Sequence, residues 1–218
     1  DLNGVTAKLD YLQSLGVSGI WLMPINPSPS NHGYDVTDYY GINPQYGNMQ
    51  DFEKLLAEAH KRGIKVIMDL VMNHSSDQHP WFRAALDPAS KYRSWYQWSQ
   101  PGTDLDAISA TGTPAWHARG RQHSLGVFTG AMPDLDFDNP AVRQEMIRIG
   151  HYWLEKGVDG FRADAVQHVY LDFKADTDNP QGLAKNIAWL TQFRAGMNGF
   201  NPHAYIVGEV TQPSAEKL

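Results

Sequence analysis

The sequence contains no cysteine. No disulfide framework, thiolate nucleophile or thiolate metal site can be built from it, and the redox compartment stays open, because thiol-free chains occur in cytosol, periplasm and secretions alike. Positive charge is not in excess: 18 Lys and Arg stand against 24 Asp and Glu, a net charge of −6. Without a basic cluster to neutralise phosphates, a nucleic-acid surface is excluded, and the substrate is expected to be neutral or not strongly anionic. No apolar run approaches the ~20 residues needed to span a bilayer, so no membrane span is expected. The phosphate-cradling patterns GxGxxG and GxxxxGK[ST] are also missing,. The opening residues DLNGVTAKLD carry no initiating Met, charged n-region or cleavage site, so the sequence reads as the interior of a longer protein.

What is present is an ordinary globular balance, 42% hydrophobic and 19% charged,. Aromatic residues make up 11%, with seven Trp and ten Tyr, more than a packed core usually needs. Flat apolar faces of this kind serve sugar-binding clefts as well as cores and interfaces.

A helix-then-strand unit repeats along the chain. Val5, Leu9, Leu12 and Leu15 have helical spacing, Gly16 ends that helix, and GIWLMPI follows as a short apolar run,. Asn48 is a plausible cap for a helix carrying Phe52, Leu55, Leu56 and Ala59 on one stripe; Gly63 stops it and IKVIMDLV follows,. The third copy has Asn139 as cap, Pro140 at the first helical position, then Val142, Met146, Ile149 and Trp153, a stop at Gly157, and VDGFRADA,. The fourth is a helix near 181–195 with Leu183, Ile187 and Leu190, followed by AYIVGEV.

Buried strands alternating with amphipathic helices imply a parallel sheet, because parallel strands need a crossover that is usually helical. A doubly wound sheet would announce a glycine-rich phosphate loop, whereas a barrel needs none, so the expected fold class is α/β: a partial (β/α)8 TIM barrel holding about strands two to five. Residues 75–131, rich in His, Trp, Gly and Pro, break the repeat. They are expected to form an inserted subdomain after strand three, between barrel parts 1–74 and 132–218, walling a cleft on the active face.

Polar residues collect at the strand ends: Asp69, Asn73 and His74 after strand three, Arg162, Asp164 and His168 at strand four, and Glu209 at strand five. In a barrel these ends converge. Arg162 is expected to pair with Asp164, lower its pKa and keep it ionised, as a nucleophile requires. Glu209, between Gly208 and Val210, is expected to lie in apolar surroundings and hold its proton as a general acid. Two carboxyls so divided suit retaining glycoside hydrolysis, for which they should lie about 5–5.5 Å apart.

DLVMNH (69–74), GFRADAVQH (160–168) and GEV (208–210), extended by HGYDVTDYY (32–40) and MPDLDFDNP (132–140), resemble the ordered motifs of the α-amylase family, glycoside hydrolase family 13, over essentially the whole chain. The resemblance implies that Asp164 is the nucleophile, Glu209 the acid/base, and Arg162 the residue that orients Asp164. It further implies that His74 hydrogen-bonds the sugar at the cleavage point, that Tyr34 stacks under the same ring with Asp35 as a hydroxyl partner, and that Asp69 and His168 belong to the same substrate site. The family's third carboxylate is expected downstream of these residues, leaving the stretch by itself catalytically incomplete.

By the same resemblance, Asn73, Asp136 and His168 are candidate ligands of a structural calcium, and Asp1 would be the last residue of a second calcium loop; no organic cofactor is implied. Gln167 stands where many α-amylases have Lys, and MPDLD replaces the QPDLN of oligo-1,6-glucosidases. Both features imply a member intermediate between α-amylases and α-glucosidases, cleaving maltooligosaccharides or related α-glucans, with transglycosylation in reach. The alternatives are an α-glucosidase or a sucrose- or trehalose-acting member, and a non-catalytic glucan-binding or transporter-associated relative. A metal-dependent hydrolase using Asp69, His74, Asp164 and Glu209 is a further one, although the strand ends lack the His-rich pattern of transition-metal sites. The aromatic-rich insertion and polysaccharide-type site favour a secreted or periplasmic location over a cytoplasmic one.

Overall fold

The computed structural model describes residues 1–170 and 179–211. The expected helix signals operate as read. Asn48 accepts from the Asp51 N–H while the Asp51 carboxylate accepts from the Asn48 N–H, a reciprocal capping box that opens α3 (Met49–Lys61),. Asn139 accepts from the Ala141 N–H and Pro140 fills the first turn of α5 (Pro140–Glu155),. Between helix and strand, Gly16, Gly63 and Gly157 have φ of 80°, 72° and 100°, left-handed turns that a side chain would strain.

The strands β1 (Gly19–Leu22), β2 (Lys65–Leu70), β5 (Gly160–Ala163) and β6 (Tyr205–Gly208) form one parallel sheet in the order β1-β2-β5-β6. Alternation along each strand sends Val66, Met68, Leu70, Phe161 and Ala163 into the core beneath the helices,. Ile67, Asp69 and Arg162 take the opposite, concave face. Gly160 is required at the β5–β6 seam, because a Cβ there would lie 1.8 Å from the Tyr205 carbonyl oxygen. The edge strands leave Trp21 49% and Tyr205 59% exposed. A parallel sheet with helices on its convex face and two open edges is a partial (β/α)8 barrel.

The segment between β2 and β5 contains α4 (Pro80–Ala85) and an antiparallel hairpin of β3 (Trp116–Arg119) and β4 (Gln122–Leu125). The hairpin has a small core of its own, Ala115, Leu125 and Val127, with Trp116 and Phe128 against it. Backbone bonds Ser75 N–H to Pro133 O (3.2 Å) and Asp77 N–H to Ala131 O (2.9 Å) draw the ends of the segment together. Most of the tryptophans prove to be packing residues: Trp153 and Trp189 are fully buried, Trp81 and Trp98 stack on Tyr39 and Phe82, and Trp95 meets Tyr92 edge-on.

Two helices differ from expectation. The first is broken at Lys8 (φ −104°, ψ 4°) into α1 (Leu2–Ala7) and α2 (Leu9–Ser14), with Leu15 exposed; the Thr6 hydroxyl takes the Leu2 carbonyl, a side-chain competition that bends helices,. The last, α6 (Pro180–Phe200), is longer than predicted and buries Gly182, Asn186, Trp189, Phe193 and Met197, while Leu183 and Ile187 face out. The aromatic series wins because it meets Phe137 and Phe161 (ring centroids 4.9 and 6.4 Å away), and large aromatic faces bury more area than Leu and Ile. No helix among the described residues is long and apolar enough to cross a membrane.

Candidate active site

The presence of Arg162 beside Asp164 follows from strand parity. Residues 162 and 164 are two apart and share the concave face, while Phe161 and Ala163 point into the core,. The register Asp69↔Arg162↔Val207 places Asp69 opposite the arginine. One step on, past Ala163↔Gly208, Asp164 and Glu209 are neighbours: the Asp164 N–H donates to Leu70 O (3.0 Å) and the Glu209 N–H to Ala163 O (2.9 Å), extending the ladder.

Arg162 sits at the centre. Its Nη1 donates to both oxygens of Asp69 (2.9 and 3.0 Å) and to Asp164 Oδ1, and its Nη2 is 2.8 Å from Glu209 Oε1. Three carboxylates from three strands therefore share one guanidinium. The predicted group of Asp69, Arg162, Asp164 and Glu209 is brought together. A cation already occupies the point where a catalytic metal would have to bind these carboxylates, which counts against the metal-hydrolase alternative.

A cavity of about 350 Å³ opens here, lined by Tyr34, His74, Phe128, Arg162, Asp164 and Glu209, with His32 and Met132 at its margin. Tyr34 donates to Asp69 Oδ2 (3.3 Å), and burial with the nearby Asp69 charge pushes its phenol up to about 12. His74 is buried, its Nε2 has no hydrogen-bond partner among the described residues, and burial lowers its pKa to about 4. It is therefore neutral, with one ring nitrogen left to hydrogen-bond a ligand hydroxyl. A larger hollow of about 620 Å³, lined by Lys65, Asp159, Trp21 and Tyr205 among others, lies toward the opposite end of the strands.

Several expectations are corrected. Burial, reinforced by Asp69 and Glu209, outweighs the pull of Arg162 and raises Asp164 to about 7, the reverse of the expected lowering,. Burial raises Asp69 as well, against the guanidinium. Glu209 does not lie in apolar surroundings: Gly208 and Val210 are exposed, and its side chain, 36% exposed, pairs with Arg162 and accepts from the Ala165 N–H (3.1 Å). Asp35 turns away from the cavity to take the hydroxyls of Ser28 (2.6 Å) and Ser30, bracing the loop that presents Tyr34. His168 lies beside the site rather than in it, with its ring edge-on to Phe128; burial lowers its pKa.

The calcium set is arranged differently from the expectation. Asp136 accepts from the Asp138 N–H (3.0 Å) and lines a separate groove. The carboxylate beside Asn73 is that of Asp134 (3.3 Å), wholly buried and raised by that burial to about 8. Asp1 caps α1, accepting from the Gly4 N–H (2.6 Å). Among the described residues no group of three or more His, Asp or Glu side chains is poised to hold a metal, and no step below runs through one.

Sequence reasoning missed Trp21, whose ring faces the Arg162 guanidinium at 5.3 Å, and Phe128, set between His74 and His168 with centroids 5.2 Å from each. Strand parity could have found Trp21, the register partner of Ile67 on the concave face. Phe128 carries no local signal, because it arrives from the insertion.

The model of the alpha-amylase catalytic domain matches residues 1–218. Alpha-amylase 3 of Dictyoglomus thermophilum is 46% identical over 211 residues, 96% of this chain and 39% of that protein. The trehalose-6-phosphate hydrolase of Bacillus subtilis is 45% identical over 181 residues, 79% of this chain and 32% of that one. Among solved structures, the alpha-amylase from H. orenii superposes with a TM-score of 0.87 at 47% identity, covering 97% of this chain and 43% of its own. The chain thus spans about a third to two fifths of the length of these proteins, and it belongs to the α-amylase family, as part of the catalytic domain.

Proposed function

We propose that this chain carries the nucleophile and the acid/base of a retaining glycosidase that cleaves α-glucosidic bonds in maltooligosaccharides or related α-glucans. One observation carries the reading: Asp164 and Glu209 are neighbours on adjacent parallel strands, both held by Arg162, in one cavity. Asp164 on Nη1 and Glu209 on Nη2 of one guanidinium are kept close together, as a covalent route, with its roughly 5–5.5 Å between carboxyls, requires.

Asp164 attacks the anomeric carbon, the glycosidic C–O pair leaves with the departing oxygen, and that oxygen takes the Glu209 proton. Water then attacks the same carbon, returns a proton to Glu209 and frees the Asp164 carboxylate. Arg162 orients Asp164, and the His74 nitrogen binds a hydroxyl of the same sugar. The retention of both carboxylates favours this over a non-catalytic glucan-binding relative. Relatives named alpha-amylase, alpha-glucosidase and trehalose-6-phosphate hydrolase all support an α-glucoside substrate.

The complete protein, supplied with maltotriose and starch, is expected to release the α-anomer first, as read by proton NMR. A first-formed β-anomer would exclude the covalent route.

A further inference from the structure

The turn that follows β5 grips the end of β6. Ala165 is the one non-glycine residue of positive φ among the described residues (φ 49°, ψ 35°), a conformation that strains a residue bearing a Cβ. That strain has a visible counterpart, because the Ala165 N–H is thereby turned to Glu209 Oε2 at 3.1 Å. Two residues on, the buried Gln167 closes both ends of its amide on one residue. The Thr211 N–H donates to Gln167 Oε1 (2.9 Å), and Gln167 Nε2 donates to Thr211 Oγ1 (2.8 Å).

The orientation of that amide is fixed by chemistry, since a backbone N–H can only donate and must face the carbonyl oxygen. The second amide hydrogen faces His168 Nε2 at 3.2 Å. The turn is itself anchored from α6, where Asn186 Nδ2 donates to the Val166 carbonyl (2.8 Å). The segment that presents Glu209 is thus held by its pairing with β5 and by contacts at residues 209 and 211.

We infer that Gln167 is a positioning residue for the acid/base: its two-point hold on Thr211, together with the left-handed Ala165 N–H, sets where the Glu209 carboxylate stands relative to the departing oxygen. This rests on the reading of Glu209 as the proton donor. Gln167 touches no reacting atom and acts through residues 209–211.

The experiment compares the complete protein with its Gln167→Ala, Thr211→Val, double and Glu209→Ala variants on maltotriose and on aryl α-glucosides of graded leaving-group acidity. A displaced acid slows the departure of a poor leaving group and spares a good one. Gln167→Ala is expected to lose about 10- to 100-fold in kcat/KM on maltotriose, as displacements of about 1 Å do, but less than about threefold in kcat/KM on the dinitrophenyl glucoside, whose departure needs no proton. Thr211→Val should show the same pattern more weakly, and the double variant should add little to Gln167→Ala.

A uniform loss across the series, wild-type behaviour, or additive losses would overturn the inference while leaving Glu209 as the acid, provided Glu209→Ala itself shows the leaving-group dependence. If Glu209→Ala shows none, the functional reading and this inference fall together. Should Gln167→Ala not fold, the exposed Thr211→Val decides by the same pattern.

Discussion

The two ends of the sheet each hold a carboxylate among cations, and they treat it in opposite ways. At the N-terminal end Asp159 accepts from the Val66 N–H (2.8 Å), Lys65 Nζ (2.9 Å) and His60 Nε2 (2.7 Å). Burial pushes that carboxyl up, but the three donors together bring it below the usual range. At the C-terminal end Asp164 shares a single guanidinium with Asp69 and Glu209 and is pushed up to about 7. One end has more donors than charge and the other more charge than donors. The first arrangement fastens strands; the second stores unfavourable charge that a reaction can use. Cavity size does not distinguish them, since the larger hollow lies at the fastened end.

The largest expected effect separates the ends by activity. Asp164→Asn or Glu209→Gln in the complete protein should lower kcat/KM on maltooligosaccharides about a thousandfold or more while leaving circular dichroism unchanged. Asp159→Asn should leave kcat within about threefold of wild type, because it touches none of the reacting groups. Near-normal turnover in either of the first two variants would remove the functional contrast between the ends.

Stability should split with the opposite sign. Asp159→Asn removes a satisfied carboxylate and should cost about 1–2 kcal/mol at neutral pH in urea unfolding. Asp164→Asn removes one of three carboxylates crowding one cation and should stabilise by on the order of 2 kcal/mol at pH 8. The sign follows from linkage: a folded pKa raised above the unfolded value contributes stability below about pH 4 that is lost as pH rises through about 7,. For Asp159, lowered on folding, the contribution is present above about pH 4 and lost on further acidification,. Equal pH slopes for wild type and Asp164→Asn between pH 4 and 7 would contradict this.

A smaller, sharper effect concerns rate. The nucleophile must be ionised, so kcat/KM should fall tenfold per pH unit below an apparent pKa of about 7,. A profile flat down to pH 5 would mean that Arg162 wins after all.

Much of this was legible in the chain. The caps at Asn48 and Asn139, the glycine stops and the apolar strands are local chemistry, and parity then brings Asp69, Arg162, Asp164 and Glu209 to one spot. What sequence could not supply was three-dimensional sharing. The pairing of Arg162 with Asp164 was foreseen, but Asp69 and Glu209 drawing on the same guanidinium reversed the expected shift. The face of α6 was misread because Leu183 and Ile187 match helical spacing as well as Trp189 and Phe193 do, and only the aromatic partners at Phe137 and Phe161 decide between them. Asp134 rather than Asp136 meets Asn73 because two bridged segments, at His74 and Asp134, set a register that no single stretch encodes.

The most direct test is to incubate the complete protein with a fluorinated α-glucosyl fluoride that forms the covalent intermediate quickly and hydrolyses it slowly, then map the adduct by peptide mass spectrometry. One hexosyl-derived mass is expected on the peptide containing Asp164, released on addition of an acceptor sugar. An adduct on another carboxylate, or turnover of the reagent with no adduct on a timescale that should accumulate one, would contradict it.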